Sequence, residues 1–263
     1  MRWPLPIVAA VLAATCSEVS RAEGFAALVS PPRFELVAKP GTTVRQVLQL
    51  SNRSATPAQY RIHTADWTLS SDFAVTFRDA LQPDSCRPWV TLERPETTLS
   101  GGSTLHYRFE VAVPADAPPG ECRFGVLIEG AEPAIADAAG IRLPLEGRIG
   151  VIVYIKVGDA APSLQIFGPA IRTLNGREVP TLRVHNSGTA HGRMSGFLSG
   201  QDAKGMRYDF NPSDFPILPG ADADVYLIPS SATDDHPTLT FPVTVTGTLE
   251  WGDQKTELHE RFE

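Results

Sequence analysis

The sequence predicts an all-β protein: two immunoglobulin-like β-sandwich domains in tandem after a cleaved signal peptide. Three observations predict it. Apolar residues recur at every second position in short runs, the period of a strand whose successive side chains face opposite ways. The runs are bounded by Gly, Pro, Asn and Ser, and the 21 glycines and 23 prolines are spread along the chain, as expected of turns between short strands. Beyond the first residues no window has a helical period, and 263 residues accommodate two domains of about 100–150 residues each.

Residues 1–22 read as the signal: Arg2 supplies the positive start, Pro6 to Ala14 the short apolar run, and Ser20-Arg21-Ala22 a small-x-small cleavage site. That run is too short to cross a bilayer, which takes about 20 apolar residues, and Thr15 before Cys16 argues against a lipid attachment site. An exported protein without membrane insertion is expected. Cleavage takes Arg2, Arg21 and Glu18 from the 23 basic and 30 acidic side chains, leaving a net charge of −8. This balance gives no electrostatic reason to bind nucleic acid or an anionic membrane.

Cleavage also leaves Cys86 and Cys122 as the only cysteines. In an oxidising compartment they are either a disulfide or two buried thiols, because spacing alone does not bring two strands together. A bridge would contribute about 3 kcal/mol by closing the loop between them.

The first sandwich is assigned to residues 23–157. Pro31-Pro32 breaks a central strand, so the segment around it is expected at an edge, bending or changing sheet, before a turn at Lys39-Pro40-Gly41. Strands follow at Val44 to Leu50 and Tyr60 to Leu69, with Asn52-Arg53-Ser54 as the turn between them and Trp67 read as a core aromatic. Phe73 to Phe77, Trp89 to Leu92, Thr104 to Val113 and Cys122 to Ile128 complete the set. In Thr104 to Val113 one face is Leu105, Tyr107, Phe109, Val111 and Val113, a half-buried strand.

Glu129 to Gly140, small and poor in large apolar groups, is expected to be a mobile loop leading into one long strand from Ile141 to Val157. Its odd positions are apolar except Gly147, and from Ile149 both faces are apolar, which reads as buried core. The earlier part is one-sided, and Pro144, which cannot donate to a ladder, places it at an edge. Such an edge offers unpaired backbone groups to another strand.

Residues 158–162 read as a linker, and 163–263 as a second sandwich. Its strands fall at Leu164 to Ile171, Val179 to Val184, Met194 to Leu198, Met206 to Phe210, Val225 to Ile228, Leu239 to Leu249 and Thr256 to Phe262, with turns at Asn186-Ser187-Gly188 and Pro219-Gly220. Asn52 and Asn186, each ending a strand, hint at duplication.

Over most of residues 26–157 the chain resembles the PapD-like periplasmic pilus-assembly chaperones. The resemblance lies in the order LQLSNRS at 48–54, the Trp-containing strand at 60–69, WVTLERPETTLSGG at 89–102, PADAPPGECRFGVLIEG at 114–130 and IRLPLEGRIGVIVY at 141–154. It implies two immunoglobulin-like domains meeting at an angle and a periplasmic chaperone that lends a strand to an incomplete fibre or pilus subunit, with an outer-membrane usher as a possible further partner. By position, Ile141, Leu143 and Leu145 are the implied donor residues. Family members also anchor the subunit's terminal carboxylate with an Arg and a Lys. Here the Lys position holds Gly150, leaving Arg33 and Arg148 as the candidate anchor.

Two other readings remain open. The three aliphatic residues instead face the protein's own second sheet or a second copy, or the chain is an envelope adhesion or scaffold module without chaperone activity.

No catalytic or cofactor motif is present. The six histidines have no zinc spacing, and there is no G-x-S-x-G, phosphate loop or dinucleotide fingerprint. Asp234-Asp235-His236 reads as a solvated turn. No enzyme and no cofactor are expected.

Overall fold

The computed structural model describes residues 26–82, 85–131, 135–136, 142–143, 146–231 and 237–263, with backbone alone at 131, 135–136, 142–143 and 146. The signal residues 1–22, Ile141, Leu145 and all of Asp234-Asp235-His236 lie outside this set.

The first half contains β1 (Ala27–Ser30), β2 (Arg33–Ala38), β3 (Thr43–Asn52), β4 (Ala58–Leu69), β5 (Val75–Arg78), β6 (Val90–Leu92), β7 (Glu96–Leu99), β8 (Thr104–Ala112), β9 (Gly120–Ala131), the two-residue strands β10 (Ile135–Ala136) and β11 (Arg142–Leu143), and β12 (Glu146–Val157). A 3-10 turn at Arg87–Trp89 is the only helical element among the described residues. The second half contains β13 (Leu164–Leu174), β14 (Arg177–Asn186), β15 (Ser195–Gln201), β16 (Arg207–Pro212), β17 (Asp222–Ser230), β18 (Val243–Trp251) and β19 (Gln254–Phe262).

One sheet of the first lobe runs β1-β3-β8-β6 and the facing sheet β2-β12-β9-β4-β5, with β7 also on β4. The expected change of sheet occurs at Pro31-Pro32: β1 pairs with β3 in one layer, and β2 runs parallel to β12 in the other. Tyr107, Phe109, Val111 and Val113 are buried between the layers against Phe124, Val126, Val151, Val153 and Ile155, the face that alternation assigns. Cys86 and Cys122 form a disulfide with Cα atoms 5.9 Å apart, tying the segment before the 3-10 turn to β9.

The second lobe is one hydrogen-bonded path, β13-β14-β17-β16-β15-β18-β19. β17 passes between layers, pairing with β14 up to Tyr226 and with β16 from Leu227, and β19 returns against β13. The enclosed core includes Leu182, Val184, Phe210, Leu227, Val245 and Phe262.

Both lobes use one device at corresponding turns. The Asn52 amide donates to the carbonyls of Thr56 and Leu99, and its Oδ1 accepts from Ser54 N. Asn186 donates to Ala190 and Ile217, and accepts from Gly188 N. Each buried Asn thus satisfies turn backbone that water does not reach.

Two expectations are corrected. The segment from 141 is not one strand: Arg142–Leu143 pair with Ile135–Ala136 in a ladder of their own, and the long strand begins at Glu146. Glu129–Ala131 are not loop but continue β9 opposite Glu146–Arg148, where Glu129 faces Arg148 as an opposite charge.

Candidate functional site

β12 has unequal sides. Toward β9 it is paired along its whole length, Glu146 to Val157. Toward β2 it is paired only from Ile152, because β2 begins at Arg33 after the chain has changed sheets. Among the described residues no strand covers this side of Glu146–Val151. The Ile152 amide donates to the Pro32 carbonyl, so backbone alternation turns the N–H and C=O groups of Arg148 and Gly150 to the same, open side. Among the sequence-predicted donors, Leu143 has only its backbone described, in β11. Within β12 the odd positions run from Ile149, which is half-buried, into the core residues Val151 and Val153.

On the outer face of this sheet, at the head of β12, one carboxylate is held by two guanidinium groups. Arg61 Nε donates to Glu129 Oε2 at 3.0 Å, and Arg148 Nη2 lies 2.5 Å from Oε1. Burial raises the Glu129 carboxyl, but Arg61, His63 and Arg148 together outweigh it and hold the group below its ordinary value. Gln59, Glu96 and Gly147 join these residues around a groove of about 670 Å³.

The expected carboxylate anchor is not assembled. Parallel register sets Arg33 beside Ile152, four positions from Arg148, or roughly 13 Å along the strand. Arg33 is engaged by Glu35 and by Asp214 of the second lobe, each at 3.1 Å. Arg148 is engaged by Glu129.

Farther along the same face the second lobe docks. His191 donates to the Glu121 carboxylate through its backbone N–H (2.9 Å) and Nδ1 (2.5 Å), with both side chains almost wholly buried. The imidazole packs on Tyr154 at 3.9 Å, and Arg193 reaches Glu35 at 3.2 Å. Burial pushes the Tyr154 phenol up to about 12, with Arg193 opposing and Glu121 adding to the shift.

Trp67 belongs here and not to the sandwich core, a correction of the sequence reading. Tyr60 and Ile62 point inward, so odd positions of β4 point out. The Trp67 ring meets Tyr154 edge-on at 5.6 Å, and its Nε1 is buried without a partner.

The hairpin of β4 and β5 also folds over this face. Phe77 covers Gly125 and Gly150: a methyl group at Gly125 would lie 2.7 Å from its Cε1, and one at Gly150 would overlap the ring. Phe73 at the hairpin tip stacks on Phe215 of the second lobe at 4.0 Å. The reading from sequence missed Phe77, Phe73, Glu121 and His191. The available signal was two glycines inside adjacent strands, a pattern that marks close approach by another group.

Among the described residues no cluster of His, Cys, Asp and Glu has the arrangement of a metal site, and no helix is long and apolar enough to cross a membrane.

No family model matches the chain, and no curated protein matches it in sequence. Among solved structures it is similar to a chaperone–tip adhesin complex of CFA/I fimbriae biogenesis, with 13% identity, a TM-score of 0.49, and coverage of 90% of this chain and 98% of that one. It is also similar to the class 5 fimbriae chaperone CfaA (13%, TM-score 0.48, 89% and 98% covered). A third is the Salmonella enterica complex of the SafA pilin with the SafB chaperone (16%, TM-score 0.48, 91% and 97% covered). Each of the three solved structures contains a chaperone, two from fimbriae and one bound to a pilin.

Proposed function

We propose that this chain is a periplasmic chaperone that holds a secreted fibre or pilus subunit by strand addition, delivering it to an outer-membrane usher. The observation that carries the reading is the open side of β12 over Glu146–Val151. In the sequence it follows the alternating row of Ile141, Leu143 and Leu145. Backbone hydrogen bonds from Arg148 and Gly150 supply sequence-independent affinity, and side chains at alternate positions supply specificity. Burial of three aliphatic side chains contributes about 1.5–3 kcal/mol each before the cost of ordering both partners. In this reading Arg148 is the cation nearest the incoming chain and exchanges Glu129 for a partner carboxylate, while Arg33 stays with Asp214.

The test is co-expression with a secreted β-rich candidate subunit taken from the neighbouring reading frames. The wild-type chain keeps that subunit soluble in a purifiable complex, and Leu143→Glu with Leu145→Glu abolishes the complex. A double variant that still holds the subunit removes the donor role. The second reading, a scaffold module binding a folded partner by a surface, is favoured by the covered Gly150 and the engaged Arg33. It predicts a complex indifferent to the double substitution.

A further inference from the structure

Phe77 belongs to β5, three strands from β12 in the order of the sheet, yet its ring lies on β12. The path is set by β4, which pairs with β9 as far as Ala65 opposite Gly125 and from Asp66 pairs with β5 instead. From there the hairpin turns back over the outer face. It is fixed at both ends, by glycines under Phe77 and by the Phe73–Phe215 stack across the lobes. Phe73 occupies the left-handed region at φ 62, uncommon for a bulky side chain, and the stack offsets that local cost.

Gly150 lies inside the open stretch of β12. A strand added there runs about 4.8 Å away, and a side chain directly opposite Gly150 on the outer face would expect a Cβ about 4.5–5.5 Å from its own. Gly150 supplies none. What that side chain meets is the Phe77 ring, half-buried and held beforehand, with Arg148 and Ile152 as neighbours in the same row.

We propose that Phe77 is a specificity-determining residue for the bound strand, reading an apolar side chain at the position opposite Gly150. The proposal rests on the strand-addition reading above. A rigid aromatic ring placed in advance is the kind of group that dominates binding energy, because little side-chain freedom is lost on contact.

The experiment measures the affinity of purified wild-type, Phe77→Ala and Phe77→Leu chains for the subunit recovered by co-expression, with thermal unfolding of each free chain alongside. Alanine weakens binding tenfold or more and leucine less than threefold, while both free chains remain folded with cooperative transitions. Phe77→Ala binding as tightly as wild type overturns the proposal, as does tighter binding, which would make the hairpin an obstruction. Should alanine unfold the chain, leucine decides: a folded leucine chain that loses as much affinity as removal of Leu143 and Leu145 contradicts an apolar contact. Failure of the wild-type chain to hold the subunit defeats the strand-addition reading itself, a result distinct from equal binding by wild type and variant.

Discussion

Replacing Glu121 by Ala tests how the lobes are held. Glu121 and His191 side chains are 1% and 2% exposed, so water does not replace the lost carboxylate. Two donors, the His191 N–H and Nδ1–H, lose their acceptor at once. Breaking a buried pair from one side costs about 3–5 kcal/mol. With a urea dependence of about 1–3 kcal/mol/M, the unfolding midpoint falls by about 1–5 M. His191→Phe keeps a ring against Tyr154 and the backbone N–H donor but removes the Nδ1 bond, so the double-mutant cycle isolates the side-chain bond between Glu121 and His191. Urea unfolding followed by circular dichroism, on the four chains, gives a coupling energy of about 1.5–3 kcal/mol. A coupling under about 0.5 kcal/mol would refute the claim that this pair fastens the lobes together.

Two further outcomes follow from the outer face of the first sandwich. The Glu129 carboxyl is held below its ordinary value of 4.5, so its stabilisation is complete above that pH and is lost as pH falls through the lower, folded-state value. Urea midpoints of wild type and Glu129→Gln therefore differ near neutral pH and converge in acid; a constant difference contradicts the assignment. Gly150→Ala forces the Phe77 ring aside and costs about 1–3 kcal/mol by overpacking. In a Phe77→Ala background thermal unfolding shows that penalty removed, whereas an equal penalty in both backgrounds means the ring is not the obstacle.

Much of the first sandwich was legible because its strands are half-buried and alternate. The row Leu105 to Val113 and the sheet change at Pro31-Pro32 required only local steric and burial rules. What alternation does not encode is the occupant of an outward face. Tyr154 and Trp67 sit at the parity opposite the core rows, so their direction was readable. Their neighbours His191 and Arg193 come from 37 or more residues away in sequence, and nothing local specifies them. The change of ladder between Leu143 and Glu146 was hidden for a related reason: in sequence the apolar row runs on, while the pairing partner changes from β10 to β9. Gly150, legible only as a departure from a family pattern, becomes intelligible through Phe77, a residue of another strand.

The central claim is that β12 keeps one side free for another polypeptide. Amide hydrogen exchange, resolved by residue in the free chain and in its complex with the subunit, measures this directly. Arg148 and Gly150 are predicted to exchange fast alone and at least tenfold more slowly in the complex, while Val151 and Val153, bonded toward β9, are protected in both. A stable complex in which Arg148 and Gly150 exchange as fast as in the free chain would contradict it.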